Sequence, residues 1–208
     1  MPSYDYKLQN FLTTELKGLE KPTILEFGVK EGRSTKIFLE YCEKFNGKLY
    51  SVDVDDYSKL FTSKNWKFIK SRDDNFDYLT SLLPSKFDII YLDSLHEANH
   101  VEKILYYYYE FLKRNGFFFI DDISWLPYLK YNQRDNFYCE INNKETFEKL
   151  IEIYNNNEEN FDIFFTFISS GMCKILKKKD KLDKPKKMFS RINSIKNNLR
   201  KLKKFIKS

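Results

Sequence analysis

Apolar residues fall along this chain in two alternating rhythms. Short runs at 23–27, 48–54, 66–70, 87–92, 117–120, 161–168 and 172–176 are compact and rich in β-branched and aromatic residues. Runs of this length read as strands. Between them, apolar positions recur three and four apart, the spacing of a helix with one buried face. Helices are expected at 5–17, where Leu8, Phe11, Leu12 and Leu16 share one side, and at 34–45, 76–83, 97–113 and 144–154. A further helix, of open extent, is expected between the second and third strands. Pro22, Asn46-Gly47, Pro84 and Ser169-Ser170-Gly171 punctuate the pattern. Strands alternating with helices build a parallel sheet, and the closing hairpin adds a reversed strand. The expected fold is therefore α/β, a Rossmann-like doubly wound seven-stranded sheet, mostly parallel with one antiparallel strand.

The sequence divides into a body, 1–176, and a basic amphipathic helical tail, 177–208. The tail carries 12 Lys and 2 Arg against 2 Asp, while the body carries 22 basic and 28 acidic residues. The net charge of +6 therefore belongs to the tail and gives no reason to expect nucleic-acid binding. Within the tail Met188, Ile192, Ile195, Leu199, Leu202 and Ile206 form a seam behind Pro185. A helix docked on the body, a self-association helix giving a homo-oligomer, and an interfacial helix on an anionic membrane all fit this seam. The basic charge favours the membrane. Cys42, Cys139 and Cys173 follow no pairing motif, and no apolar run reaches the roughly 20 residues of a membrane span. A cytoplasmic protein, peripheral at the membrane through its tail, is expected.

Chemistry concentrates where strands end. Asp93 follows one run, Asp121 and Asp122 follow the next, and a helix joins the two. Parallel strands joined by a helix put these carboxylates side by side. Such a cluster calls for a cation, and an all-oxygen site suits Mg²⁺ or another hard divalent ion. His96 lies three residues after Asp93 and is placed to act as a general base. Trp125, Tyr128 and Tyr131 are candidates for a substrate wall or for simple packing.

The first strand leads into Glu26-Phe27-Gly28-Val29-Lys30-Glu31-Gly32-Arg33-Ser34. The spacing is neither the dinucleotide fingerprint nor a P-loop, which argues against a pyrophosphate ligand. Asp53, ending the second strand, is placed to bind the hydroxyls of a ribose. A ligand with an amino-acid end and a nucleoside end fits these features better.

On these residues the segment 23–176 resembles the class I S-adenosylmethionine-dependent methyltransferases. It is most similar to their metal-dependent small-molecule O-methyltransferases, which include catechol, caffeoyl-CoA, macrolide-sugar and cephalosporin-hydroxylase-like members. The family's first motif is matched by Glu26, Gly28, Gly32 and Ser34. Its ribose acid falls on Asp53 and its adenine segment on Ser71-Arg72-Asp73. The resemblance implies cofactor contacts from Glu26, Gly28, Gly32, Ser34, Asp53, Arg72, Asp73 and Asp93. It also implies metal ligation by Asp93, Asp121 and Asp122, and His96 as the catalytic base of the sugar-type branch. Asp93-Ser94-Leu95-His96 replaces the branch's Asp-Gly-Asp-His, and Lys113-Arg114-Asn115-Gly116 replaces its Lys-Pro-Gly-Gly. Both departures affect turns rather than reacting groups. The implied activity is methyl transfer from S-adenosylmethionine to a hydroxyl of a small-molecule or glycan acceptor. A metal-independent methyltransferase and a non-catalytic binding protein of the same fold are the alternatives.

Overall fold

The computed structural model of this protein describes residues 3–189, 191, 194–197, 199–200 and 203. The seven strands are β1 (Thr23–Phe27), β2 (Lys48–Asp53), β3 (Trp66–Lys70), β4 (Phe87–Leu92), β5 (Leu112–Asp121), β6 (Phe161–Thr166) and β7 (Met172–Lys177). They form one sheet in the order β3-β2-β1-β4-β5-β7-β6. Only β7 is reversed, pairing antiparallel with both β5 and β6. The chain builds outward from β1 to β3 and then returns to place β4 on the other side of β1. That reversal opens a crevice at the carboxyl ends of β1 and β4, the place where doubly wound sheets bind ligands.

Alternation along the strands feeds two cores. Ile24, Ile89, Tyr91 and Phe119 face helices α1 (Tyr4–Leu16) and α2 (Arg33–Lys44), burying Leu8, Leu12, Leu16, Phe38 and Cys42. Leu25, Ile90, Leu92, Phe118 and Ile120 face the opposite layer. That layer comprises α3 (Phe76–Leu82), α4 (Ala98–Tyr109) and α5 (Phe137–Tyr154). A central parallel strand covered on both sides is apolar at nearly every position, which is why these runs lack polar alternation.

Three differences from the expected elements have local causes. Residues 54–65 contain no helix; this loop instead lays Leu60 and Phe61 over Gly32. Helix α5 begins at Phe137 rather than at 144. Asn136 caps it by accepting from the Cys139 amide at 3.0 Å, and Phe137 and Tyr138 are 68% and 75% exposed. An exposed first turn leaves no apolar stripe to read. Strand β5 starts at Leu112 and absorbs Lys113-Arg114-Asn115-Gly116, with a register shift against β4 between Phe87 and Ile89.

Packing against the body continues past 176. Lys177 is buried at the end of β7, donating to the carbonyls of Tyr109 at 2.8 Å and Leu112 at 2.7 Å. Residues 178–189 are not helical. They run along the end of α5, where the Asp183 amide donates to Asn157 Oδ1 at 2.7 Å and the Lys186 amide to the Glu152 carbonyl at 3.2 Å. Contacts with the body thus continue beyond the boundary expected at 176, as far as Lys186. Residues 195–197, 199–200 and 203 are helical, and Met188, Ile195 and Leu199 are exposed. Ile192, Leu202 and Ile206 of the expected seam lie outside the described residues.

Candidate active site

Two clefts meet at the crevice between β1 and β4. One, of about 510 Å³, is lined by Asp53, Tyr57, Arg72, Asp73, Leu95 and His100. The other, of about 540 Å³, is lined by Tyr4, Ser34, His96, Asp122, Tyr128 and Arg134. Gly28, Lys30, Asp93 and Ser94 border both. Gly28 has φ +91, and a Cβ built there would lie 2.0 Å from the Asp93 carbonyl oxygen. Only a residue without a side chain lets the two strand ends approach so closely.

The first-motif residues divide their roles. Glu26 does not reach either cleft; it is fully buried and accepts from Ser34 Oγ at 2.6 Å, Thr35 Oγ1 at 2.8 Å and Ser51 Oγ at 2.6 Å. It ties β1, the start of α2 and β2 together, so its expected direct cofactor contact gives way to a positioning role. Burial pushes its carboxyl up to about 7, against the lowering effect of the three hydroxyls. Gly32, at φ +72, also lies outside the linings; a Cβ there would meet Leu60 at 2.6 Å and Phe61 at 2.9 Å. It shapes the turn into α2.

Asp53 does line the first cleft. Its Oδ2 accepts from the Val29 amide at 2.7 Å and the Lys30 amide at 3.3 Å, so the same carboxylate that faces the cleft fixes the β1–α2 loop. Asp73 accepts from Ser94 Oγ and lies 2.8 Å from His100 Nε2, while Arg72 turns outward to Asp74 at 2.9 Å. His100 was not singled out by the sequence, because nothing near it marks its contact with Asp73 across 27 positions.

The expected metal trio separates. Consecutive residues at a strand end point to opposite faces. Asp121 points into the α1 face, where both it and its ion-pair partner Lys7 are 0% exposed. Asp122 adopts φ +54, a left-handed conformation that Asp enters more readily than most residues, and its side chain is 26% exposed. His96 Nε2 lies 3.4 Å from Asp93 Oδ1 and 3.6 Å from Asp122 Oδ2. Ligating atoms of Asp93, His96 and Asp122 all fall within 4.8 Å of one another. These spacings approach the roughly 3 Å between neighbouring ligands on one hard cation. Asp93 and Asp122 could therefore hold a divalent ion with His96 beside them, and Asp121 does not join them.

Electrostatics follow from this division. Burial favours protonation of Asp121, but the Lys7 ammonium overrides it and holds the carboxyl below its usual range. Burial and the neighbouring Asp121 charge push Asp122 up. Burial alone would lower His96; its hydrogen bond to Asp93 and the charges of Asp122, Asp93 and Asp121 win and raise it to about 9.

Tyr4 and Lys7 are site residues the sequence reading missed. The Tyr4 hydroxyl donates to Asp93 Oδ2 at 2.7 Å and lies 3.1 Å from Asp121 Oδ2, and burial beside these carboxylates raises its pKa. The available signal was Lys7 itself, a charged residue adjoining the apolar stripe of α1, with Tyr4 one turn before Leu8. Of the expected substrate wall only Tyr128 lines the cleft. Trp125 packs on Phe147 and Phe167, and Tyr131 is 88% exposed.

A family model described as a methyltransferase domain matches residues 25–123. No curated protein matches the sequence. Among solved structures, the MycE methyltransferase from the mycinamycin biosynthetic pathway, in complex with Mg and SAH, aligns at TM-score 0.64 and 17% identity. That alignment covers 86% of this chain and 52% of MycE. The complex of MycE with Mg, SAH and mycinamycin VI aligns at TM-score 0.58 and 18% identity, over 84% and 49%. SAH-bound Podospora anserina methyltransferase PaMTH1 aligns at TM-score 0.65 and 18% identity, over 86% of this chain and 80% of PaMTH1. The chain spans about half the length of MycE, and at these identities the likeness is one of fold. The matched segment contains Asp53, Asp73, Asp93, His96 and both Asp121 and Asp122, so the residues that gather at the crevice lie in the part of the chain that is similar to a methyltransferase domain.

Proposed function

We propose that the protein transfers a methyl group from S-adenosylmethionine to a hydroxyl of a small-molecule or glycan acceptor, with a divalent cation at Asp93 and Asp122 and His96 free beside it as the base. One observation carries this reading: a cleft bearing Asp53 and Asp73 opens at Gly28 and Asp93 onto a second cleft bearing His96 and Asp122. The first suits a nucleoside, and the second suits a polar acceptor whose hydroxyl must lose a proton. S-adenosylmethionine supplies the activated methyl. Asp53 offers a carboxylate to ribose hydroxyls, and the β1–α2 loop presents backbone to the amino-acid end. His96 sits where an acceptor proton is released, and the fixed strand ends hold the acceptor in line with the methyl. A divalent ion would lower the hydroxyl pKa and orient two neighbouring acceptor oxygens. MycE was solved with Mg, SAH and mycinamycin VI, which is consistent with an acceptor of this kind.

A second reading is metal-independent transfer. It is favoured by Lys7 and a protonated His96, which together already offset two of the three carboxylate charges. Calorimetric titration with S-adenosylmethionine, followed by SAH production from a panel of sugar and phenolic acceptors with Mg²⁺ or EDTA, separates these readings. Cofactor binding with turnover strongly stimulated by Mg²⁺ is expected. Turnover unaffected by EDTA selects the second reading, and absence of cofactor binding removes both.

We also propose that the tail brings the enzyme to an anionic lipid surface, supported by its exposed Met188, Ile195 and Leu199 among basic residues. Among the described residues no helix is long and apolar enough to cross a membrane. Full-length protein should co-sediment with anionic but not neutral liposomes, and a chain ending at Lys187 should not. Equal partitioning of the two would remove the tail from this role.

A further inference from the structure

We infer that Lys7 is a built-in counter-cation that removes Asp121 from the ligand set of the carboxylate cluster, leaving a divalent cation to Asp93 and Asp122 with His96 beside it. The inference rests on the metal-dependent reading above and names which carboxylates serve it.

The argument is one of hydrogen-bond capacity. An ionised carboxylate has about four lone-pair sites. Asp121 Oδ1 accepts from Lys7 Nζ and from the Asp122 amide at 2.7 Å. Its Oδ2 accepts from Tyr91 at 2.6 Å, and the Tyr4 hydroxyl oxygen lies 3.1 Å from it. Three of the four sites are filled by protein donors, and the Tyr4 hydroxyl, its proton turned to Asp93, covers the fourth. Lys7 is likewise committed: besides Asp121, its ammonium donates to Ser170 Oγ at 2.9 Å and the Gly171 carbonyl at 3.3 Å. Both side chains are 0% exposed. A metal bound to Asp121 would have to displace one of these buried partners and leave it unpaired, which is costly.

Asp122 is the opposite case. Its nearest cationic atoms are His96 Nε2 at 3.6 Å and Lys7 Nζ at 3.9 Å, both beyond hydrogen-bond reach, and its side chain is 26% exposed toward the cleft. Asp93 and His96 are similarly open, at 21% and 27%. Lys7 comes from α1, outside the sheet that supplies the acids. Docking of this helix is therefore what turns a three-carboxylate cluster into a two-carboxylate site with an imidazole beside it. It also lets the cluster assemble before any ion arrives.

Mn²⁺ titration of the full chain by calorimetry tests this, using Asp121→Asn, Asp122→Asn, Lys7→Met and the pair Lys7→Met/Asp121→Asn. Asp122→Asn should weaken Mn²⁺ binding by about tenfold or more, while Asp121→Asn should leave it within about threefold. Lys7→Met should tighten it about tenfold by freeing a carboxylate and removing a nearby positive charge. In EDTA the single Lys7→Met change should lower the melting temperature, and adding Asp121→Asn should restore much of the loss. Equal weakening by the two Asn changes, or a Lys7→Met affinity like that of wild type, would overturn the inference. Should Lys7→Met not fold alone, the Asn pair and the double variant still decide it. If wild type binds no Mn²⁺, the metal-dependent reading fails by itself. The Lys7 inference then survives only if Lys7→Met acquires binding, and is overturned if it does not.

Discussion

Replacing His96 with Ala should lower kcat by about 10²–10⁴-fold, the contribution of a positioned general base, while S-adenosylmethionine binding stays near wild type. His96 borders only the cleft with Asp122 and Tyr128, away from Asp53 and Asp73. The pH profile carries the sign of the argument. A base works only when deprotonated, and the Asp93 and Asp122 charges raise His96 to about 9. Without a divalent ion, activity should therefore climb through pH 9. A dication beside the same carboxylates offsets their charge, so Mg²⁺ should move the rising limb to lower pH. Single-turnover rates across pH, with and without Mg²⁺, check both points. A variant with undiminished kcat would remove His96 from proton transfer.

Gly28→Ala should be the most damaging conservative change in the chain. Its Cβ would lie 2.0 Å from the Asp93 carbonyl oxygen and 2.7 Å from the Asp93 carbonyl carbon, both backbone atoms that no rotamer can move. The φ of +91 adds strain for any residue with a side chain. Overlap and backbone strain together should cost roughly 2–5 kcal/mol of stability. Whatever folded protein remains should bind cofactor poorly, because separating the ends of β1 and β4 disturbs the border shared by both clefts. Urea denaturation and cofactor calorimetry on the same variant measure the two effects. Wild-type stability would mean that the strand ends are not in close contact in solution.

Much of the scaffold follows from local pattern. Apolar runs such as 87–92 announced buried strands, and the Ser169-Ser170-Gly171 turn announced the reversed β7, because strand and turn preferences act over a few residues. Once the strands alternate with helices, right-handed crossovers bring Asp53 and Asp93 to one edge of the sheet. Exposed segments were harder to read. The first turns of α5 bury little, so periodicity could not mark their start, and the loop at 54–65 is held by short turns of its own and by Phe61 packing on Trp66, neither of which shows as a helical period.

The pattern of strands, the crevice between β1 and β4, and the presence there of Asp53, Asp93, His96 and Asp122 were thus determined by the sequence itself. Which of two adjacent carboxylates faces the cleft was not. Asp121 and Asp122 are chemically alike, and their fates diverge only because a strand end sends successive side chains to opposite faces and α1 brings Lys7 to one of them. Glu26 shows the same limit: its motif position marked it for the cofactor, but Ser34 and Thr35 from α2 and Ser51 from β2 converge on it and enclose it. Contacts between residues 8 to 164 positions apart set charge, burial and ligand capacity at this site. Such contacts exist only once the helices have packed on the sheet, so only the tertiary structure decides them.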